Sequence, residues 1–257
     1  MFKYFIISFI CLITSNIYSK TIKICYEDQD YSPYISDLRY SHKGRGILVD
    51  LVEMSVKSVG LDVEFIRRPW KRCLSMMKNG SVDAIFAALW TKEREAWAAF
   101  PKKKDNLKKL DESLSLWDSQ YVVFKRVDSE LSYSGGKFKN VISGIDAPPG
   151  YVAYKMLKDM KVLSRSNNTP EKGLKLVRLK RIDGYVVERN IGNYIINKNK
   201  SNDVIDSIGE VFFEGHWFLP FSKKFYKKSP ELSSKIWNMI AIMKKKNGSM
   251  LIKKYSK

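Results

Sequence analysis

The hydrophobic pattern divides the chain unevenly. Behind Lys3, Tyr4 to Ile13 is an almost unbroken apolar run, followed by the polar stretch Thr14-Ser15-Asn16-Ile17-Tyr18-Ser19. An apolar core of about ten residues is too short to cross a bilayer as a helix and suits the core of an export signal, with Ser19 as the small residue beside the cut. Residues 1–19 are therefore expected to be a signal peptide, with mature protein from about Lys20. The alternative is an N-terminal membrane anchor, but no second apolar segment of spanning length follows.

From there the pattern alternates between strand and helix periods. Thr21 to Tyr26 alternates as a strand should, and Gly46 to Val59 gathers Ile47, Leu48, Leu51, Val52, Met54 and Val59 largely on one helical face, ended by Gly60. Leu61 to Ile66 reads as a second strand, and Pro69 opens a helix that runs to Lys78. Val82 to Leu89 is continuously apolar, as in a strand buried on both faces of a parallel sheet. This is a βαβαβ unit. A second begins with Asn140 to Ile145 as a strand, a Pro148-Pro149-Gly150 turn and a helix from Tyr151 to Met160; a helical stretch over Glu171 to Lys180 and a strand over Ile182 to Val187 follow. The halves share a phrase: Asn79-Gly80-Ser81-Val82-Asp83-Ala84 and Leu179-Lys180-Arg181-Ile182-Asp183-Gly184. Glu231 to Lys246 adds an amphipathic terminal helix. The expectation is an α/β protein of two similar lobes, each a mostly parallel sheet flanked by helices, and open α/β sheets bind ligands at the carboxyl ends of their strands.

Composition changes this picture in three places. A length of 257 residues accommodates two cores of about 100 residues each. The formal charge of +19 would suggest nucleic acid or another polyanion, but the lysines are scattered in short runs such as Lys102 to Lys104 and Lys244 to Lys246, without a nucleic-acid motif, and read as a solvated basic surface. Export would remove Cys11 and leave Cys25 and Cys73, an even number in an oxidising compartment. They either pair, tying the first strand to the second helix, or are two small buried hydrophobes.

Catalytic chemistry is thinly represented. His42 and His216 stand apart from any metal-ligand spacing, and no nucleophile elbow, P-loop or dinucleotide fingerprint occurs, so no cofactor or metal is expected. Binding features are richer. Thr91 is a natural N-cap for a helix starting at Lys92, which puts Arg94 in its first turn, where the helix dipole disfavours a cation. Either Glu93 and Glu95 offset Arg94, or its planar fork of donors receives an anion at the mouth of the sheet. Tyr31 and Tyr34 follow the first strand, where they stack on a ligand or cover the lobe. Trp70 and Arg72 open the second helix, facing the same cleft. Glu188 closes the second-lobe strand and either takes a ligand ammonium or caps the next helix.

Taken together, Tyr31-Ser32-Pro33-Tyr34, Gly46-Ile47-Leu48-Val49-Asp50-Leu51, the two repeated phrases, Thr91-Lys92-Glu93-Arg94 and Phe221-Ser222-Lys223 resemble the bacterial extracellular solute-binding proteins of family 3 over nearly the whole mature chain, in a branch with a Pro-Trp-x-Arg helix start. The resemblance implies a type II periplasmic-binding-protein fold, with crossovers near Trp117 to Tyr121 and Val211 to His216. Lobe 1 is then residues 20–117 and 214–257, and lobe 2 is 118–213. It implies a monomeric, non-enzymatic periplasmic protein that closes over a small polar ligand, an amino acid or related carboxylate, for an ABC transporter or a sensor kinase. The ligand carboxylate falls to Arg94, packing to Tyr31 and Trp70, an ammonium to Glu188, and further contacts to Arg72 and Ala88. Ala87 and Ala88 replace the family's hydroxyl residues, and Pro148-Pro149-Gly150 replaces an amide-donating turn. The alternatives are a dehydratase-like enzyme on the same scaffold and a polyanion-binding surface protein.

Overall fold

A computed structural model describes residues 21–37, 44–165 and 168–255; the expected signal segment, Cys11 and His42 lie outside the described residues. In chain order the elements are β1 (Thr21–Glu27), α1 (Ile47–Lys57), β2 (Asp62–Arg68), α2 (Trp70–Lys78), β3 (Ala84–Ile85), β4 (Ala88–Leu89), α3 (Lys92–Glu95) and β5 (Ala98–Ala99). Then come β6 (Trp117–Arg126), β7 (Ser132–Ser134), β8 (Lys137–Lys139), β9 (Ile145–Asp146), α4 (Val152–Asp159), α5 (Pro170–Arg178), β10 (Gly184–Glu188), α6 (Arg189–Lys198) and β11 (Ile205–Phe218). The chain closes with β12 (Phe221–Ser222), α7 (Lys223–Lys228) and α8 (Pro230–Tyr255).

Two five-stranded sheets result, ordered β2-β1-β3-β12-β5 and β4-β11-β6-β10-β9. β1 lies parallel between β2 and β3, and its side chains serve both faces: Ile22, Ile24 and Tyr26 join the core that contains Leu48, Leu51 and Val52 of α1, whereas Cys25 packs with Trp70, Cys73 and Met77 of α2. Cys25 and Cys73 are disulfide-bonded, with Cα atoms 5.5 Å apart and both residues fully buried. The bridge fixes the first turn of α2, and with it Trp70, against β1. Among the described residues no helix is long and apolar enough to cross a membrane.

β6 and β11 run antiparallel from Trp117↔Trp217 to Ile205↔Arg126, and through Leu219 and Pro220 the chain passes directly from β11 into β12 of the first sheet. These two long strands carry the chain between the sheets. The terminal helix is longer than the pattern predicted, because Leu251 and Tyr255 continue its buried face and Tyr255 Oη donates to Asp50 Oδ2 (2.6 Å) on α1.

The apolar run over 82–89 is not one strand. β3 belongs to the first sheet; β4 pairs antiparallel with β11 in the second (Ala88↔Phe218, Leu89↔Trp217). Ala87, at φ 58°, turns the chain between them. Because nearly every residue of the run is buried in one sheet or the other, hydrophobicity carries no mark of the break. The strand expected over 140–145 likewise shrinks to Ile145–Asp146, since the amides of Ile142, Ser143 and Gly144 all donate to Asp183 Oδ2 (2.7, 2.7 and 2.8 Å).

That contact explains the repeated phrase. Asp83 N donates to Lys23 O (2.9 Å) while Lys23 N donates to Asp83 Oδ2 (2.9 Å); Asp183 N donates to Gly144 O (2.9 Å) while Gly144 N returns to Asp183 Oδ2. Each Asp ties the start of its strand to the neighbouring parallel strand. The preceding helices end alike: Ser81 N reaches Met76 O and Arg181 N reaches Leu176 O, both at 2.9 Å, with Gly80 and Lys180 at positive φ between. A hydrogen bond to a charged acceptor contributes about 1.5–3 kcal/mol when buried and well under that when solvated, and both aspartates are only half-buried. Asp183→Ala, which strands three amides, is therefore expected to lower stability by about 2–3 kcal/mol and Asp83→Ala by about 1 kcal/mol, read as urea midpoints at unchanged m-value.

Candidate functional site

Thr91 does cap α3: its Oγ1 accepts from Arg94 N (3.1 Å). The cap turns the Arg94 side chain inward, where it is buried with 7% of its surface exposed. Its Nη1 donates to Leu89 O (2.7 Å) and its Nη2 to Gly150 O (3.1 Å), and its Cζ stands 5.6 Å from the centre of the Trp70 ring. Among the described residues no carboxylate pairs with it. Burial alone pulls the guanidinium below its ordinary pKa.

Around Arg94 the sequence-predicted residues separate into two groups. Trp70 is buried beside it, and Tyr31 is buried on the other side of Tyr151, whose ring lies edge-on to Tyr31 at 6.4 Å and to Trp70 at 6.1 Å. Ala88 is fully buried in β4, paired with Phe218. Arg72 is not brought to this place: it is exposed on α2 and does not line the cavity, because its neighbours Trp70 and Cys73 take the buried face of that turn. Glu188 is buried at the end of β10, and its Oε2 accepts from Asn190 N (2.9 Å) and Ile191 N (3.1 Å), capping α6. Its Oε1 takes Tyr34 Oη (3.4 Å), which in turn accepts from Asn190 Nδ2 (2.8 Å).

Two groups that sequence reasoning passed over complete the junction. Glu27, the last residue of β1, is buried, and its Oε2 accepts from Tyr151 Oη (3.3 Å). Burial, reinforced by Asp28, pushes its carboxyl up to about 7. Burial likewise raises Glu188 to about 7, against the opposing effect of its two amide donors. Tyr151 itself, directly after the Pro148-Pro149-Gly150 turn, projects from the second-sheet side between Tyr31 and Trp70, and its hydroxyl is held well above its ordinary pKa by burial. The signal that could have found Glu27 is the rule applied to Tyr31, that ligand groups sit at the carboxyl ends of strands; β1 runs one residue beyond the alternating segment.

The contacts across the junction leave little space. The void enclosed by Glu27, Tyr31, Trp70, Tyr121 and Tyr151 measures about 20 Å³, room for one water. A larger and more open cavity of about 790 Å³ adjoins it at Tyr34 and runs along β6 and β11, past Trp90, Trp117 and Glu188 to His216. His216 Nδ1 lies 2.8 Å from Asp118 Oδ1 and Nε2 3.5 Å from Glu112, an ordinary surface arrangement; among the described residues no three potential ligands gather as a metal site.

Comparison with known proteins places this geometry. No curated protein sequence matches the chain. Among solved structures, a histidine kinase sensor domain with similarity to periplasmic binding proteins superposes with a TM-score of 0.72 at 20% identity, covering 91% of this chain and 95% of that one. Holo ArgBP from T. maritima superposes with a TM-score of 0.69 at 15% identity, covering 91% and 95%. The ancestral amino acid-binding protein AncCDT-1, a precursor of cyclohexadienyl dehydratase, gives 0.67 at 17% identity, covering 92% and 96%. At such identities these likenesses establish the fold, a two-lobed type II periplasmic-binding-protein arrangement. The family profile of the bacterial extracellular solute-binding proteins, family 3, matches residues 22–257, and the chain belongs to that family.

Proposed function

We propose that the protein captures a small carboxylate-bearing solute, an amino acid or a close relative, between its two lobes and signals capture by hinge closure. The observation that carries this reading is Arg94: a buried guanidinium at the junction whose described partners are two backbone carbonyls. A carboxylate offers the same fork charge-assisted, bidentate bonds, which are roughly twice as strong as neutral ones. Residues 20–117 with 214–257 act as one lobe and 118–213 as the other, turning about β6 and β11. Opening withdraws Gly150 and Tyr151 from Arg94 and Glu27; the solute then takes the place of Gly150 O on Arg94, with Tyr31 and Trp70 as its walls. Glu188 is occupied as a helix cap, so Glu27 is the better placed acceptor for a ligand ammonium. The protein works as a periplasmic monomer whose closed form is read by an ABC transporter or a sensor kinase, readings supported by the likeness to the histidine kinase sensor domain and to a substrate binding protein of an amino acid ABC transporter.

One observation favours a second reading, acid–base catalysis on the same scaffold: Glu27 and Glu188 are both carboxyls raised to about 7, where a carboxyl can give or take a proton at neutral pH. Recovery of the bound solute unchanged after prolonged incubation supports capture, and its conversion supports catalysis.

Arg94→Met keeps the apolar stem against Trp70 and removes the charge. With a panel of amino acids and small carboxylic acids, the wild type is expected to gain about 2.7 kcal/mol of stability at a hundred times Kd from at least one member, and Arg94→Met to gain none; equal gains remove Arg94 from the site. Glu27 gives a pH test. Its carboxyl holds a proton to about pH 7 when folded but ordinarily loses it near 4.5, so its contribution is complete below pH 4.5 and is lost as pH rises through 7. Glu27→Gln, which mimics the protonated form, is expected to show a shallower fall in Tm between pH 5 and 8 than the wild type; parallel Tm profiles contradict the assignment.

A further inference from the structure

Residues 101–110 form a narrow hairpin off the first sheet. Lys102 and Leu110 make an antiparallel bridge, Lys103 N donates to Lys109 O (3.0 Å), and Asn106 N and Lys109 N close the tip through Lys103 O and Asn106 O. At the apex Leu107 is 74% exposed. Lys103 and Lys104 on one strand and Lys108 and Lys109 on the other are exposed around it, with Asp105 the one acidic residue of the segment. Among the described residues none of these four lysines makes an ion pair, whereas Lys102 at the base is spent on Glu95 and stands over the Trp90 ring. Lys223 also acts on Glu95, which places the exposed Lys223 and Lys224 of α7 near the base of the hairpin.

A lone exposed leucine is ordinary, and so is a lysine run. Their combination at one tip is selective. Nucleic acid would use the ammonium groups and leave Leu107 in water; an apolar protein pocket would take Leu107 and bury the lysines beside it at a cost. An anionic bilayer uses both. Leucine enters the boundary between headgroups and acyl chains, and lysines lay their stems along the same boundary while their heads reach lipid phosphates. Each lysine held at an anionic leaflet strengthens partition roughly fivefold.

We propose that the 101–110 hairpin is a docking element for an anionic phospholipid surface, with Leu107 inserted and Lys103, Lys104, Lys108 and Lys109 on the phosphates. It is independent of the ligand reading: it would hold the open or closed protein at a membrane face, where a membrane-bound reader of closure would meet it. Binding is reversible, because one leucine and four lysines fall far short of a stable anchor.

The test is co-flotation of the purified mature protein, beginning at Lys20 and so without the apolar run over Tyr4 to Ile13, with vesicles of phosphatidylcholine alone or with roughly one-third phosphatidylglycerol. The wild type is expected on the anionic vesicles at low salt, to leave them at high salt, and to ignore pure phosphatidylcholine. Leu107→Ser should bind about tenfold more weakly, and the Lys103→Ala, Lys104→Ala, Lys108→Ala, Lys109→Ala variant at least about a hundredfold more weakly. Unchanged melting temperatures would show that both variants fold. Absence of wild-type binding, equal binding to both vesicle types, or full retention by the quadruple variant overturns the proposal. So does full retention by Leu107→Ser, and in that event competition by duplex DNA would reassign the hairpin to polyanions in general.

Discussion

Taking a guanidinium out of water costs several kcal/mol unless an opposite charge and well-placed acceptors accompany it, and the junction between the two sheets is organised around such a group. Arg94 is committed to the interior by Thr91, whose hydroxyl starts α3 and so fixes the direction in which the side chain leaves the backbone. Once inside, the cation has Leu89 O of β4 and Gly150 O of the turn after β9, which lie at the two edges of the second sheet, with the Trp70 face of α2 beside it. With the lobes bounded as proposed, Gly150 O is the acceptor that moves, and opening must replace a bond of a buried charge. The proposed site therefore makes Arg94 sensitive to closure as well as to a ligand.

The same logic applies to the groups facing it. Tyr151 Oη on Glu27, Tyr34 Oη on Glu188, and Tyr194 Oη on Asp30 at 3.1 Å all join a residue of the first-sheet side to one of the second. In the proposed opening each exchanges for water, at small net cost apiece, while β6 and β11 keep the pairing from Trp117↔Trp217 to Tyr121↔Phe213. Two states separated by a few such bonds differ by only a few kcal/mol, the range in which differential affinity for one state redistributes the population.

How far this was legible in the sequence follows from what kind of rule each feature obeys. The Thr91 cap, the α2 start after Pro69 and the paired cysteines are local or compartment rules, and the structure has them. The repeated Asp phrase was visible as a repetition, but its meaning, a carboxylate answering the amides of a parallel neighbour, depends on a partner sixty residues away for Asp83 and about forty for Asp183. Ala87 was unreadable as a turn because alanine at positive φ is rare and both flanks are buried. At the junction, Trp70 lies beside Arg94 and Tyr31 meets Trp70 through Tyr151, while Arg72 is carried outward by the helical period that buries Trp70 and Cys73. Tyr151 escaped notice because its role lies between two residues of the other side.

What kind of solute suits this junction turns on charge. With Arg94 ionised and Glu27 and Glu188 both protonated, as their elevated pKa values favour below about pH 7, the buried groups carry a net positive charge, and a plain carboxylate neutralises them. A zwitterionic amino acid brings an ammonium as well. Placed beside Glu27, that ammonium would lower the carboxyl's pKa by the same Coulombic effect that makes salt-bridged acids strong, and the carboxyl would ionise on binding. Capture of an amino acid at neutral pH then releases a proton in proportion to the protonated fraction of Glu27, whereas capture of a simple carboxylate favours the protonated form and releases none. In the proposed site the burial of Glu27 thus does more than cost desolvation: it would couple capture to proton binding, with a sign set by whether the solute carries an amine.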